Sequence, residues 1–550
     1  MEIRGVRKHS CRHNLHLCLP VLGLFMAVSI FEPAPKNPNE GTKKSSVISS
    51  EFYRPEGFQV FAKRRIIPGT LIHQESAAFS YAREQFVPLL CQNCLRVARP
   101  NQPFVKCRCG QVAYCSSLCK NQDYIRGHKR ICTLATDLQR ISRTLKVSRD
   151  LLFPLLCLMG QISQDNNTNR SATLGIPIPN EKIKFSITFR NDIHSAADIF
   201  KRNLINGLLT PPSDRDMRWI ESCVDECERL VAVFKYFCHT GHNGVYYSVF
   251  PRLARFAHSC SPNCVLKIGS GKCEIRVVKD VSEGEELTIS LLPDLYQSSK
   301  TRQKLLNVTR GIACTCTRCK VEAETGTEYL SAFCCPESGC QGLFNLPLET
   351  SSPDEALRWK PEHLNSTTDA NNVRVGHKCT QGHDVVLEKG RVSKWVNGVL
   401  AEKIKDFIHR MQGVKSSTPE ANREHAKKIL QTTKTWGMHP SHRMLYVLYP
   451  MLAEACEKAE DFSQSAMFVQ AAISCWEKIL PGKYWPILSL YYDSLAELLK
   501  KRAETRITEY LDDERENIKK GRDLFMRLAR EAEERSKENK RICFGSGKTD

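Results

Sequence analysis

After residue 391, apolar positions recur every three or four residues almost to the end of the chain, the period of helices with one buried face. The stretch HRMLYVLYPMLAEACEKAEDFSQSAMFVQAAISCWEKIL, 442–480, holds two such runs broken near Glu460-Asp461, which predicts a helix hairpin. The first half is patterned differently. FQVFAKRRIIPGTLIHQESAAF, 58–79, predicts two short strands around a Pro68-Gly69 turn. CEIRVVKDVSEGEELTIS, 273–290, alternates at Ile275 and Val277, turns at Glu283-Gly284 and resumes at Leu287 and Ile289, which predicts a strand pair. Two helical stretches lie between them: 133–163, with Leu138, Ile141, Leu145, Leu151 and Leu152, and 217–238. Polar runs punctuate these elements. Residues 32–50 read as a linker, 164–175 as a surface loop and 349–372 as a long insertion. Strands and helices segregated along the chain make the fold class α+β.

Composition narrows this picture. A chain of 550 residues is long enough for several domains, and 41% apolar with 25% charged residues describes a globular body, not a disordered one. The net charge of +20 suits anionic partners such as nucleic acid, acidic proteins or anionic lipid. No single arginine-rich run concentrates that charge, so an evenly solvated basic surface is the simpler reading.

The 26 cysteines change the picture more. Most fall as C-x-C, C-x2-C or C-x3-C with histidines nearby, a pattern of zinc sites in a reducing compartment, cytoplasm or nucleus. The N-terminus points elsewhere. LHLCLPVLGLFMAVSIF, 15–31, follows a basic run, is short for a membrane span, and has the character of a signal peptide or uncleaved anchor. Secretory or membrane targeting and an incidental N-terminal extension both stay open. Sequons at Asn166, Asn169, Asn307 and Asn365 carry little weight, because such triplets arise by chance.

Residues 91–132, CQNCLRVARPNQPFVKCRCGQVAYCSSLCKNQDYIRGHKRIC, hold seven cysteines and one histidine, enough for two tetrahedral zinc ions. Interleaved pairing assigns Cys91, Cys94, Cys115 and Cys119 to one metal, and Cys107, Cys109, His128 and Cys132 to the other. So small a segment has little apolar core, so metal would supply its folding energy. A further set, Cys335, Cys340, Cys379 and His383, has the intervals of a zinc ribbon with a long insertion. Cys334 competes for its first place and His377 for its last, and free cysteines are the alternative. RFAHSCSPNC, 255–264, reads as a nucleophile with its base, a metal site or an ordinary turn.

The eight-ligand segment resembles a MYND zinc finger, a protein-interaction module. It departs from that pattern in its C-x-C second pair and in a Cys119-to-His128 gap one residue longer than usual. HSC at 258–260, GEELTIS at 284–290 and CTCTRC at 314–319 together resemble a SET domain with its cysteine-rich tail. The whole is similar to the SMYD family over roughly residues 55–530, weakly after 400. The resemblance implies an N-terminal extension with a possible targeting segment (1–50), the first SET part (51–90), the MYND finger (91–132), a helical SET insertion (133–240), the SET core (241–295), a cysteine-rich post-SET region (296–390) and a helical, TPR-like C-terminal domain (391–550). For that last domain a plain helical bundle serves as well, since no strict period repeats. The resemblance also implies that Cys260, Cys314, Cys316 and Cys319 share a third zinc.

By resemblance the activity is methyl transfer from S-adenosylmethionine to a lysine amine of a histone or other protein. Four positions depart from that expectation. Gly57 aligns with the first glycine of the cofactor loop, but Gln59 replaces the second and Glu56 stands where a cation would hold the cofactor carboxylate. Ala257 replaces an asparagine beside His258 and offers no amide. Leu291 occupies the place of the catalytic tyrosine. Arg310 and Ile312 occupy the aromatic positions before Cys314, with Tyr246 and Tyr296 as candidate substitutes. Zinc is thus the expected cofactor, and the departures count against S-adenosylmethionine. Two function classes remain: a protein-lysine methyltransferase, and a scaffold that binds proteins through its finger and helical domain.

Overall fold

The computed structural model describes most of residues 52–162, a few positions between 191 and 198, and most of 231–345, 374–388, 401–505 and 515–545. The 15–31 segment, the 164–175 loop, the 349–372 insertion and most of the 217–238 helix lie outside the described residues. No helix among the described residues is long and apolar enough to cross a membrane.

Alternating burial builds the first sheet. Cys273, Ile275 and Val277 of β11 (Lys272–Val277) point inward while the residues between them stay partly exposed. β10 (Cys264–Gly269) joins β11 through a two-residue turn, Ser270-Gly271, whose φ values of 48° and 71° match the twist of a tight hairpin. β3 (Leu71–Ser76) pairs with the other edge of β11, giving the antiparallel order β10-β11-β3. A second antiparallel sheet holds β4 (Phe79–Ala82), β8 (Tyr246–Val249) and β7 (Cys238–Gly241) in the order β4-β8-β7.

The 273–290 segment does not pair with itself. After β11 the chain turns at Gly284 (φ 76°) and enters β12 (Thr288–Ile289), which lies parallel to β9 (Ala257–His258). Alternation specifies which face of a strand is buried and leaves the partner to tertiary packing. Likewise β2 (Gly57–Gln59) and β3 flank the Pro68-Gly69 turn without pairing to each other; β2 pairs with β1 (Phe52–Arg54). The β9–β12 pair sets His258 beside Ile289 and brings the 255–264 stretch against the segment ending in Leu291.

In the C-terminal part, α7 (Arg443–Lys458) and α8 (Phe462–Ile479) form the expected hairpin. Glu460 takes the left-handed turn at φ 57°, and the Asp461 carboxylate accepts from the Gln464 amide to start α8. α9 (Pro486–Thr505) and α10 (Arg515–Phe544) follow, and the end of α10 returns to the first sheet, where Lys267 lies 5.4 Å over the Phe544 ring. The seam between the strand-rich part and these helices is aromatic. Tyr296 packs 3.9 Å from Tyr446 and 5.6 Å from Trp476, and its hydroxyl donates to the Ser441 carbonyl at 2.7 Å.

Candidate metal centres and cleft

The sequence-predicted metal ligands converge in four groups, and within each the ligand atoms lie within 4.8 Å of one another. A tetrahedral zinc with Zn–S bonds of about 2.3 Å requires sulfur–sulfur edges of about 3.8 Å. In the first group Cys94 and Cys115 are 3.6 Å apart and Cys115 and Cys119 3.5 Å. β6 (Ala113–Tyr114) delivers Cys115, and the Ser116 side chain caps α1 (Ser117–Asp123) by accepting from the Cys119 amide. In the second group Cys107 lies 3.6 Å from Cys132, and Cys109 3.7 Å from His128. The unusual spacing before His128 has a local solution: Tyr124–His128 forms a π-helical turn, opened at Gly127 with φ 137°. Such a turn absorbs one extra residue without moving the ligands on either side. The Tyr124 hydroxyl, 3.3 Å from Cys107 and 3.7 Å from Cys132, can donate to both sulfurs. Packed this closely, some thiols give up protons. A hydrogen bond with Cys94 pulls Cys91 down to about 4, and one with Cys109 pulls Cys132 to about 3.

The third group joins the 255–264 stretch to the 314–319 segment. Cys260 lies 3.9 Å from Cys314 and 3.7 Å from Cys319, and its amide donates to Cys316 Sγ. The tail is held from α3 (Ser299–Arg310), where the Gln303 side chain both donates to the Cys314 carbonyl and accepts from its amide. Beneath the group, fully buried Arg302 pairs with Glu322 and Glu328 and reaches Cys319 Sγ at 3.9 Å. Nothing in SSKTRQKLL, 298–306, distinguishes this arginine from a solvated one, so the sequence does not announce its burial. A fifth convergence, His73, Glu75 and Cys273, already has a structural use: the Glu75 carboxylate accepts the amides of Arg252 and Leu253.

A cavity of about 470 Å³ opens beside the third group, walled by Gln59, Ala257, His258, Asn263, Leu291 and Ile312 among others. His258 is fixed on both sides. Its Nδ1 accepts from the Leu291 amide at 3.0 Å, its Nε2 faces Cys260 Sγ at 3.4 Å, and burial holds the ring at about 4. Gln59 Oε1 is buried in this wall with no hydrogen-bond partner. Gly57 lies in β2 opposite Arg54, and Glu56 falls outside the described residues.

A second cavity, about 680 Å³, lies between the strand-rich part and the C-terminal helices and shares His239 and Leu291 with the first. Arg310 lines it and donates to the Cys238 carbonyl at 2.9 Å. Burial, then the Arg310 charge, keep His239 neutral. No isolated histidine in that stretch of sequence announces such a position. Tyr247 lines the second cavity and not the first. Tyr246 and Tyr296 line neither: Tyr246 faces the Gly271 amide and Tyr296 is locked in the aromatic seam.

Comparison with known proteins agrees with this architecture. The SET domain family model matches residues 57–290. SET domain-containing protein SmydA-8, isoform A, of Drosophila melanogaster is 33% identical over 169 residues, 30% of this chain and 33% of that protein. Histone-lysine N-methyltransferase ASHR1 of Arabidopsis thaliana is 24% identical over 52% of this chain and 59% of its own length. Histone-lysine N-methyltransferase SMYD3 of Homo sapiens is 23% identical over 42% and 52%. The chain thus spans from a third to about three fifths of the length of these relatives. A solved SET domain, that of LSMT bound to lysine and AdoHcy, superposes with a TM-score of 0.24 at 10% identity over 79% of this chain and 89% of that one, too loosely to bear on the site. With a SET domain match at 57–290 and relatives of this kind, the chain carries a SET domain and is similar to SMYD-type SET proteins.

Proposed function

We propose that this chain is a SET-MYND scaffold: a two-zinc finger, a zinc-held tail and a helical domain that engage protein partners, around a cleft no longer equipped for efficient methyl transfer. The observation that carries this reading is the junction of the two cavities. Leu291 stands there with an apolar side chain, and Ile312 lines the first cavity beside it. Transfer of a methyl group from a sulfonium to a lysine amine is an in-line displacement, which needs oxygen acceptors to align the amine. Among the described residues, no tyrosine lines the first cavity.

The cavity has the volume of a small-molecule site, but its residues do not fit S-adenosylmethionine. Ala257 offers no side-chain amide, Gln59 stands where a glycine would let backbone approach, and the Lys279 charge is shared with Glu285 at 3.0 Å. Arg310 adds a fixed positive charge to the second cavity, which opposes entry of a lysine ammonium. The zinc groups, by contrast, keep complete ligand sets. Retained metal ligands beside a stripped cleft support binding over catalysis. The thiol-rich groups further support residence in a reducing compartment, and glycosylation at Asn166 or Asn365 in a tagged protein would contradict that.

A second reading, an active protein-lysine methyltransferase, is favoured by the names of the relatives and by the orphaned Gln59 Oε1, an acceptor that a bound ligand's donor would satisfy. Labelled-methyl incorporation into histones and other lysine-containing proteins separates the two. The scaffold reading expects incorporation at background for the wild-type chain. Transfer well above a Cys260→Ser control establishes the enzyme instead.

A further inference from the structure

We propose that Cys335, Cys340, Cys379 and His383 bind a fourth zinc ion, which fastens a two-hairpin ribbon onto the helical domain. The spacing of the ligand atoms is that of a metal tetrahedron. Cys340 and Cys379 are 3.9 Å apart, and His383 Nδ1 lies 3.1 Å from Cys340, 3.6 Å from Cys379 and 3.9 Å from Cys335. Zinc bonded to sulfur at about 2.3 Å and to nitrogen at about 2.0 Å requires sulfur–nitrogen edges of about 3.5 Å. Three thiols and an imidazole make only weak hydrogen bonds among themselves, so their convergence is poorly explained without a cation.

The backbone around them is shaped for the same purpose. The Gly342 amide donates to Cys340 Sγ at 3.2 Å, as an amide does toward a metal-bound thiolate. A Cβ at Gly342 would meet Cys379 Sγ at 2.8 Å and Cys340 Sγ at 3.1 Å, so only glycine fits between the two sulfurs. The other pair sits on a turn closed by the Gly382 amide onto the Cys379 carbonyl, with Gly382 at φ 89°. Each turn ends a hairpin: β13 (Ala332–Cys334) with β14 (Leu343–Asn345), and β15 (Arg374–Lys378) with β16 (Asp384–Glu388). The open choices of ligand resolve on this geometry. Cys334 remains in β13, its amide donating to the Gly437 carbonyl at 2.7 Å, and His377 remains in β15 opposite Val385.

The ribbon meets the helical domain along one edge. Phe333 bridges to Met438, the His439 amide donates to the Ala332 carbonyl, and the Phe333 ring lies 5.5 Å from the His442 ring. His442 caps the start of α7, so the metal would hold the residues that position that helix. This inference is independent of whether methyl transfer occurs.

Metal analysis and thiol mapping of the full chain test it. Plasma mass spectrometry is expected to find four zinc ions per chain, and three in Cys379→Ser. In the wild-type chain, iodoacetamide should spare Cys335, Cys340 and Cys379 until a chelator is added, then modify them roughly tenfold faster or more. Chelation should also speed amide exchange at 332–345 and 437–446. If the variant does not fold, the wild-type thiol map decides alone. Alkylation of these three cysteines at one rate with and without chelator overturns the proposal, as does a zinc count unchanged by Cys379→Ser.

Discussion

The amide of Leu291 donates to Nδ1 of His258 at 3.0 Å, while Nε2 of the same ring stands 3.4 Å from Sγ of Cys260. An amide can only donate, so Nδ1 carries the lone pair and the ring proton sits on Nε2, toward the sulfur. Both ring nitrogens are therefore occupied, and His258 serves as a strut between the third metal group and the cavity junction. Of the three readings of the 255–264 stretch, this geometry favours the metal site, with Cys260 in a group that could hold an ion.

Removing the strut should be felt as stability. His258→Ala leaves a partly buried amide without an acceptor and a sulfur without its donor, at a cost of about 1–3 kcal/mol. Denaturant unfolding measures this, and an unshifted midpoint contradicts the linkage.

Arg302 should matter more. Its guanidinium is fully buried and answers the carboxylates of Glu322 and Glu328 at the base of the third group. Arg302→Met strands both carboxylates, and breaking a buried ion pair from one side costs about 3–5 kcal/mol. Arg302→Lys should recover only part of this, because an ammonium cannot reproduce the guanidinium fork. Thermal unfolding of the two variants should rank them in that order.

The finger should fail locally. Cys115→Ser removes a candidate ligand from the first group, and a bound metal would supply folding energy to this segment. Hydrogen exchange should accelerate across 91–132 and leave α7 to α9 as protected as in the wild-type chain. Uniform acceleration would show that the finger and the helical domain unfold together.

Acid should weaken the helical domain through His442. Its Nδ1 caps α7 by accepting from the Met444 amide at 3.2 Å, a role that needs the neutral ring. Burial, aided by the charges of His439 and Arg443, depresses its value from 6.5 to about 3. The ring is neutral when folded and free to take a proton when unfolded. Its contribution is complete above about pH 6.5 and is lost as pH falls from there toward 3. His442→Asn keeps an acceptor and removes the titration, so its stability should fall less steeply over that interval in denaturation series. Parallel pH profiles would contradict the assignment.

The clusters that could hold metal were legible in the sequence because zinc ligands come in local pairs. Close pairs such as Cys91/Cys94 and Cys107/Cys109 each sit on one turn, so spacing alone identifies them. The helix hairpin at 442–480 was legible for a similar reason, since period and turn both lie within it. Strand partners were not. Ile275 and Ile289 share an alternating pattern, yet one faces His73 on β3 and the other pairs with His258 on β9. Pairings over such separations are decided by packing that no single segment encodes. The same applies to the cleft. Leu291 and Ala257 could be flagged one at a time, but the use of Tyr296 in the helical seam and the burial of His239 between two cavities depend on the assembled fold.

The proposed scaffold role requires a cleft that does not hold S-adenosylmethionine usefully. Loss of two hydrogen bonds to charged cofactor groups, each worth about 1.5–3 kcal/mol, weakens binding roughly a hundredfold or more. Isothermal titration of the full, zinc-loaded chain with S-adenosylmethionine measures this directly. The account predicts no saturable heat at micromolar ligand, and partial recovery of binding in the chain carrying Gln59→Gly, Ala257→Asn and Glu56→Arg. A saturating micromolar isotherm from the wild-type chain would contradict it.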